Sequence, residues 1–146
     1  MAFEALAKHL GKQPQDLDKD ISVLGYSMGA GAGLEFAVRH PVRRVILLAP
    51  FTSIVDMARL VAGWPICYIA PDHYNNRARI HDLLARKNPP SIDVFHGPND
   101  EVIPYRMGEE LAIRHPGKVV LHTVSDAHHG DLPTVAEKEI LDLLVK

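Results

Sequence analysis

Four short apolar runs, separated by stretches of helical pattern, constrain the fold of this chain more than any other feature. The runs are ISVLGY, RRVILLAP, SIDVFHG and KVVLHTV, beginning at residues 21, 43, 91 and 118. Continuous apolar runs of this length are typical of strands buried on both faces of a sheet. Strands that alternate with helices predict an α/β fold with a mainly parallel sheet and helices on both faces.

Helical patterns occupy the segments between these runs. A first helix is predicted because the apolar residues 3, 6, 7 and 10 share one face, and Gly11 follows them. Three more helices are predicted over residues 28–39, 105–115 and 133–145. Residues 1–146 are therefore expected to form a single domain.

One connection, residues 51–88, is longer than a single crossover needs. It contains Trp64, Pro65 and Pro71, and the prolines would interrupt a long helix. We expect a cap-like insertion over the carboxyl edge of the sheet, where ligands bind in sheets of this kind. Trp64 would then either line an acyl pocket or belong to the core, and the same two interpretations hold for Met28.

Composition excludes several classes of protein. A net charge of −2 over 146 residues gives no basic surface that would attract nucleic acid or an anionic membrane. Cys67 is the single cysteine, so the chain cannot form an internal disulfide, which suits a reducing compartment. Neither a transmembrane run nor a signal peptide is recognisable. We expect a soluble, cytoplasmic protein with no cofactor.

The first apolar run leads directly into GYSMG, residues 25–29. A serine on a sharp strand-to-helix turn can project its hydroxyl into a cleft, and the backbone N–H of Met28 would face a developing oxyanion. Gly25 and Gly29 are expected to be required because side chains there would collide. A glycine-rich turn without function is the simpler interpretation. A dinucleotide loop does not fit, because its third glycine would fall at Leu34 or Phe36.

Two further candidates follow later strands, in the chain order serine, acid, histidine. Asp100 comes after the third run, and His128 and His129 come after the fourth. Because the carboxyl ends of parallel strands meet at one edge, these side chains are expected to lie near Ser27. Asp100 could instead be only a turn former. His96 is expected to pack or hydrogen-bond beneath the Asp100 loop.

A metal site built from the two histidines and Asp131 is disfavoured. Adjacent residues in an extended segment point to opposite sides, so His128 and His129 would not face one ion. No metal is predicted.

The stretches LGYSMGAGAGLEFA, LLAPFTSIVDMA, VFHGPNDEVIPYRMGEEL and VSDAHHGDL together resemble the α/β-hydrolase fold. They are most similar to its branch of Bem46-like and ABHD13/ABHD17-like serine hydrolases. The resemblance implies an esterase or thioesterase with Ser27 as nucleophile, Asp100 as acid and His129 as base, acting on a small-molecule ester or acyl substrate. His128 stands where the family usually has glycine, which leaves it as the alternative base.

The same resemblance implies that the family fold begins upstream of this chain's first helix. A loop there would carry the second oxyanion N–H. The chain is therefore expected to be the carboxyl-terminal portion of such a hydrolase, with weak turnover. The alternative is a non-catalytic remnant or interaction module with an incomplete oxyanion hole. An open strand edge at residues 21–25 predicts a homodimer or larger assembly, or else poor solubility.

Overall fold

The computed structural model describes residues 2–13, 21–62 and 74–145. The predictions that concern Trp64, Pro65, Cys67 and Pro71 fall outside these residues.

Within the described residues the sheet has four strands, and each corresponds to one of the apolar runs. The strands are β1 (Ser22–Tyr26), β2 (Arg44–Leu48), β3 (Ser91–His96) and β4 (Val119–Thr123). They are parallel, and their spatial order β1-β2-β3-β4 follows the chain. Each carboxyl end therefore lies beside that of the next strand, which brings the loops after all four strands to one edge.

The helices lie on both faces of the sheet, as predicted. Their bounds are α1 Ala2–His9, α2 Met28–Arg39, α3 Ile54–Ala62, α4 Asn76–Leu84, α5 Tyr105–Ile113, α6 Leu132–Val135 and α7 Glu137–Leu144. In α1, Ala7 is buried while Leu6 and Leu10 beside it stay half-exposed. The predicted face of this helix is thus buried only in part.

One face of the sheet carries α2, α4 and α5. Alternate side chains along β2 and β3, such as Val45 and Val94, point to this face and are fully buried. The helix α4 lies within the range of the predicted insertion but packs in this layer through Ile80 and Leu83. From the helices, the buried residues of this cluster are Ala30, Leu34, Ala37, Ile80, Leu83, Leu111 and Ala112.

The opposite face carries α6 and α7 against Ile46, Leu48 and Phe95. A single helix was expected over residues 133–145, and that expectation is wrong at Ala136. The backbone there has φ −90° and ψ 2°, away from helical values. Hydrogen bonds from Ala136 N to Leu132 O and from Ile140 N to Ala136 O still cross the junction. The small, buried Ala136 thus keeps both helices on the sheet despite the local irregularity.

Candidate active site

Ser27 occupies the single residue between β1 and α2. Its backbone has φ 54° and ψ −122°, a conformation that costs a non-glycine residue on the order of 1–3 kcal/mol. Two backbone hydrogen bonds hold the turn: Ser27 N donates to Leu48 O at 2.9 Å, and Ala30 N donates to Ser27 O at 3.0 Å. The chain thus maintains the sharp strand-to-helix turn that the motif predicts.

The glycines around this serine differ in what they contribute. A Cβ at Gly25 would lie 2.6 Å from Gly29 O, so Gly25 is required by close backbone contact. A Cβ at Gly33 would lie 2.9 Å from Val23 Cγ1, so this glycine lets α2 pack close to β1. Outside its own helix, a Cβ at Gly29 would meet no atom of the described residues within 4 Å. The expectation that Gly29 avoids a collision is therefore wrong within the described part of the chain.

Asp100 lies in the loop after β3, with only 1 % of its side chain exposed. Its Oδ1 accepts hydrogen bonds from the backbone N–H groups of Val102 at 2.9 Å and Ile103 at 2.7 Å. Burial acts to raise the pKa of Asp100, but hydrogen bonds from His129 and from these two N–H groups outweigh it and lower the pKa below its ordinary value. Asp100 is therefore a carboxylate held in one orientation.

His129 lies between Asp100 and Ser27. Its Nδ1 is 2.8 Å from Asp100 Oδ2, and its Nε2 is 3.1 Å from Ser27 Oγ. Because a carboxylate can only accept, the hydrogen belongs on Nδ1, which leaves Nε2 free to accept from the serine hydroxyl. The three side chains form one continuous hydrogen-bonded line.

The neighbouring histidine does not reach the serine. His128 Nδ1 contacts Glu101 Oε2 at 3.3 Å, and 60 % of its side chain is exposed. Its backbone N–H donates to Asp131 Oδ1 at 2.7 Å, so Asp131 shapes the histidine loop. The side chain of His128, the alternative base, thus contacts Glu101, while that of His129 contacts Ser27.

Met28 begins α2, and its backbone N–H belongs to the first turn, where N–H groups have no partner within the helix. N–H groups at the start of a helix are typical binding sites for anions. The Met28 side chain is 54 % exposed, which excludes the core interpretation for this residue.

The comparisons with known proteins begin with sequence. No family model matches the chain. Two uncharacterized proteins of Mycobacterium tuberculosis, MT2364 and Rv2307c, are each 28% identical to it over 127 residues. The match covers 85% of this chain but 43% of each relative, so the chain spans less than half of their length.

Solved structures identify the fold. The esterase domain of a Rhodothermus marinus protein matches with a TM-score of 0.63 and 18% identity, covering 97% of this chain and 67% of that one. An alpha-beta serine hydrolase homologue from Coxiella burnetii matches with a TM-score of 0.58 and 17% identity. That match covers 99% of this chain and 53% of the homologue. The chain has the α/β-hydrolase fold. It corresponds to part of that fold, since its neighbours extend further.

Within this α/β-hydrolase fold, Tyr26 is a site residue that the sequence did not reveal. Its hydroxyl donates to the backbone oxygen of His129 at 2.5 Å, and the two rings lie 5.2 Å apart. Burial, followed by the negative charges of Asp100, Glu101 and Asp131, raises the pKa of Tyr26 and keeps it a donor. Tyr26 adjoins Ser27 in the motif, but nothing in the spacing indicates a contact 103 residues away.

His96 lies beneath the Asp100 loop as predicted. Its Nε2 donates to Ile103 O at 2.9 Å, and the side chain is fully buried.

None of the helices in the described part of the chain combines the length and apolar character needed to cross a bilayer.

Proposed function

We propose that this chain is a serine hydrolase of carboxylic esters or thioesters. Ser27 is the nucleophile, His129 the general base and Asp100 the residue that orients it. The observation that carries the proposal is the unbroken line from Ser27 Oγ through both ring nitrogens of His129 to Asp100, with contacts of 3.1 and 2.8 Å. The strained backbone of Ser27 supports the same role, because strain of this kind is concentrated at functional sites.

The proposed reaction proceeds in two stages. Ser27 Oγ attacks the carbonyl carbon while its proton passes to His129 Nε2, and Asp100 stabilises the imidazolium. The tetrahedral intermediate then collapses, and the same proton goes to the departing alcohol or thiol, leaving an acyl group on Ser27. Water attacks that acyl group with His129 again as base, which releases the acid and restores the serine hydroxyl.

The oxyanion of each tetrahedral intermediate would be bound by the N–H of Met28 at the start of α2. The resemblance implies a second donor from a loop upstream of the nucleophile strand. Loss of one such donor lowers kcat by roughly 10²- to 10³-fold. We therefore propose weak turnover for this chain alone.

We place the chain in the Bem46-like and ABHD13/ABHD17-like branch on the order of its four motifs. We propose a cytoplasmic location because its single cysteine suits a reducing compartment. We also propose that the range 51–88 contributes a cap-like insertion over the site through its described residues 51–62. An apolar cluster supports this, since buried Phe51, Ile103 and Met107 join the loop after β2 to the loop after β3 and to α5. Both loops lie at the carboxyl edge, beside Ser27.

A fluorophosphonate probe tests the function directly, because it labels only an activated serine. Wild type should be labelled, while Ser27→Ala should not, and Asp100→Asn should react far more slowly because the wrong imidazole tautomer is favoured. Ser91→Ala, at the amino end of β3, is the matched control and should be labelled like wild type. A folded wild-type chain that resists the probe would support the alternative, a non-catalytic interaction module.

We propose further that the chain self-associates through β1. Among the described residues β1 pairs with β2 alone, which leaves its other edge without strand hydrogen bonds there. Leu24 in the middle of this strand is 50% exposed. Apolar edges with open backbone groups recruit other strands, so residues 21–25 are the expected interface of a homodimer or larger assembly.

A further inference from the structure

His96 ends β3 and is completely buried beside the proposed acid. Its Nε2 lies 2.9 Å from Ile103 O and 3.2 Å from Asp100 Oδ2. A carbonyl oxygen and a carboxylate oxygen can only accept. The hydrogen of His96 therefore belongs on Nε2, which donates to the Ile103 carbonyl and faces the carboxylate.

The other ring nitrogen cannot easily take a proton. Nδ1 is buried and has no hydrogen-bond partner among the described residues. Gly108 of α5 lies against it so closely that a Cβ at this position would be 2.4 Å from Nδ1. Burial lowers the pKa of His96, although Ile103 and Asp100 act in the opposite direction. The geometry thus favours a neutral ring that serves as a fixed donor.

The donor acts on Asp100 through Ile103. The carbonyl of Ile103 accepts from His96, while the N–H of the same residue donates to Asp100 Oδ1 at 2.7 Å. Because both groups are attached to the Cα of Ile103, fixing the carbonyl restrains this residue and limits the movement of the N–H that orients the carboxylate. The loop is closed at its start as well, since Asp100 N donates to Gly97 O at 3.1 Å.

We propose that His96 is a positioning residue for Asp100, holding the loop so that Oδ2 faces His129 Nδ1. The proposal rests on the proposed function, since it assigns Asp100 the orienting role. A purely space-filling role is the competing explanation. The His96 ring does pack edge-on against Tyr105, with centroids 5.7 Å apart. A phenylalanine could make that contact, but it could not donate to Ile103.

Two substitutions separate these roles. His96→Phe keeps the aromatic volume and loses the donor, whereas His96→Gln has an amide N–H that can reach Ile103 O but cannot titrate as imidazole does. We expect His96→Phe to label with the fluorophosphonate probe roughly fivefold or more slowly, from loss of a buried donor. We expect His96→Gln to stay within about twofold of wild type. His122→Phe is the control, because it likewise keeps an aromatic ring and loses a donor, here the one that contacts Asp93 at 2.9 Å outside the site.

Nuclear magnetic resonance gives a readout that needs no turnover. In wild type the His129 Nδ1 proton bridging to Asp100 should be protected from solvent exchange. It should be lost or broadened in His96→Phe and retained in His96→Gln. The ¹⁵N shifts of His96 itself should report a proton on Nε2 across the neutral pH range. This measurement on wild type can overturn the proposal, by placing the proton on Nδ1, even if His96→Phe fails to fold.

Equal labelling and an unchanged His129 signal in both His96 variants would overturn the proposal, as would a His96 ring that carries its proton on Nδ1. Failure of His96→Gln to retain function would overturn it too, because the donor alone would then not suffice. A wild-type chain that resists the probe would instead count against the proposed hydrolase, while the resonance comparison would still test the positioning role.

Discussion

Replacing Gly25 by alanine should separate the nucleophile from its base. The new Cβ would lie 2.6 Å from Gly29 O and 2.7 Å from Ala30 Cα, whereas ordinary contact begins near 3.4 Å. Both contacts are backbone atoms, so no side chain can rotate away to relieve them. To lengthen the distance from the new Cβ to Gly29 O from 2.6 Å to 3.4 Å, the first turn of α2 must move away from β1 by about 0.8 Å.

Ser27 lies between the two parts that must separate. Its Oγ is 3.1 Å from His129 Nε2, so a displacement of this size would exceed hydrogen-bond distance. Overpacking of a close contact costs typically about 1–3 kcal/mol, and misplacement of a reacting group by about 1 Å can cost 10²-fold in rate. We expect Gly25→Ala to lose stability in this range and to react with the probe about 10²-fold more slowly.

Gly29→Ala is the matched control, since it makes the same change four residues later in the same motif. A Cβ there would meet no atom within 4 Å among the described residues outside its own helix, and Gly29 does not have a positive φ. Alanine is favoured over glycine within a helix by about 0.5–1 kcal/mol, so this variant should be at least as stable as wild type. Denaturant unfolding and the rate of probe labelling measure both effects. The steric argument would be refuted if Gly25→Ala were labelled at the wild-type rate. It would also be refuted if Gly25→Ala and Gly29→Ala lost stability and labelling rate to the same extent.

Three further predictions concern the surroundings of the site. Tyr26→Phe removes the hydroxyl bond to the His129 carbonyl but keeps the ring contact, so it should cost about 0.5–1.5 kcal/mol of stability and slow labelling several-fold. Thr123→Val is the control, because it removes an exposed hydrogen bond to the hydroxyl of Tyr105, and it should leave labelling unchanged. Burial lowers the pKa of His96 in the folded chain, so below about pH 6.5 the unfolded chain binds a proton that the folded chain excludes. The free energy of unfolding should therefore decline as pH falls below this value. His96→Gln should flatten this decline in denaturant unfolding measured at a series of pH values. Sedimentation at micromolar concentration should show a species larger than 16.2 kDa, and a monomer with protected amides at residues 21–25 would contradict association through β1.

The sheet was predictable from sequence because its strands are short, mainly apolar runs, and all four runs correspond to observed strands. Burial on both faces explains this pattern for β2 and β3, whereas β1 and β4 are apolar although partly exposed. The irregular Ala136 was not predictable, since alanine is the strongest helix former and its apolar spacing continues through the junction. Its backbone angles depend on packing against the sheet, which local periodicity does not encode.

The candidate site was predictable to a similar extent. Parallel strands bring the loops after β1, β3 and β4 to one edge, which is sufficient to expect Ser27, Asp100 and His129 close together. The spacing of the motifs did not distinguish His128 from His129 as the base, and the resemblance to α/β-hydrolases favoured His129. The partner of His128 is Glu101, and no pattern in the sequence relates these two residues before the loops are folded.

The contacts that give the site its precision depend on sheet register, and sequence patterns specify register only indirectly. Leu48 O, which accepts from Ser27 N, belongs to the residue paired with Tyr26, and His96 is paired with Thr123 at the start of the histidine loop. A slip of one residue between neighbouring strands moves a loop by about 3.3 Å and turns every side chain to the opposite face. That displacement is larger than the tolerance of any hydrogen bond in the line from Ser27 to Asp100. The apolar faces that bury Val94 and Phe95 on opposite sides of β3 therefore determine the geometry of the site, although neither side chain belongs to the line from Ser27 to Asp100.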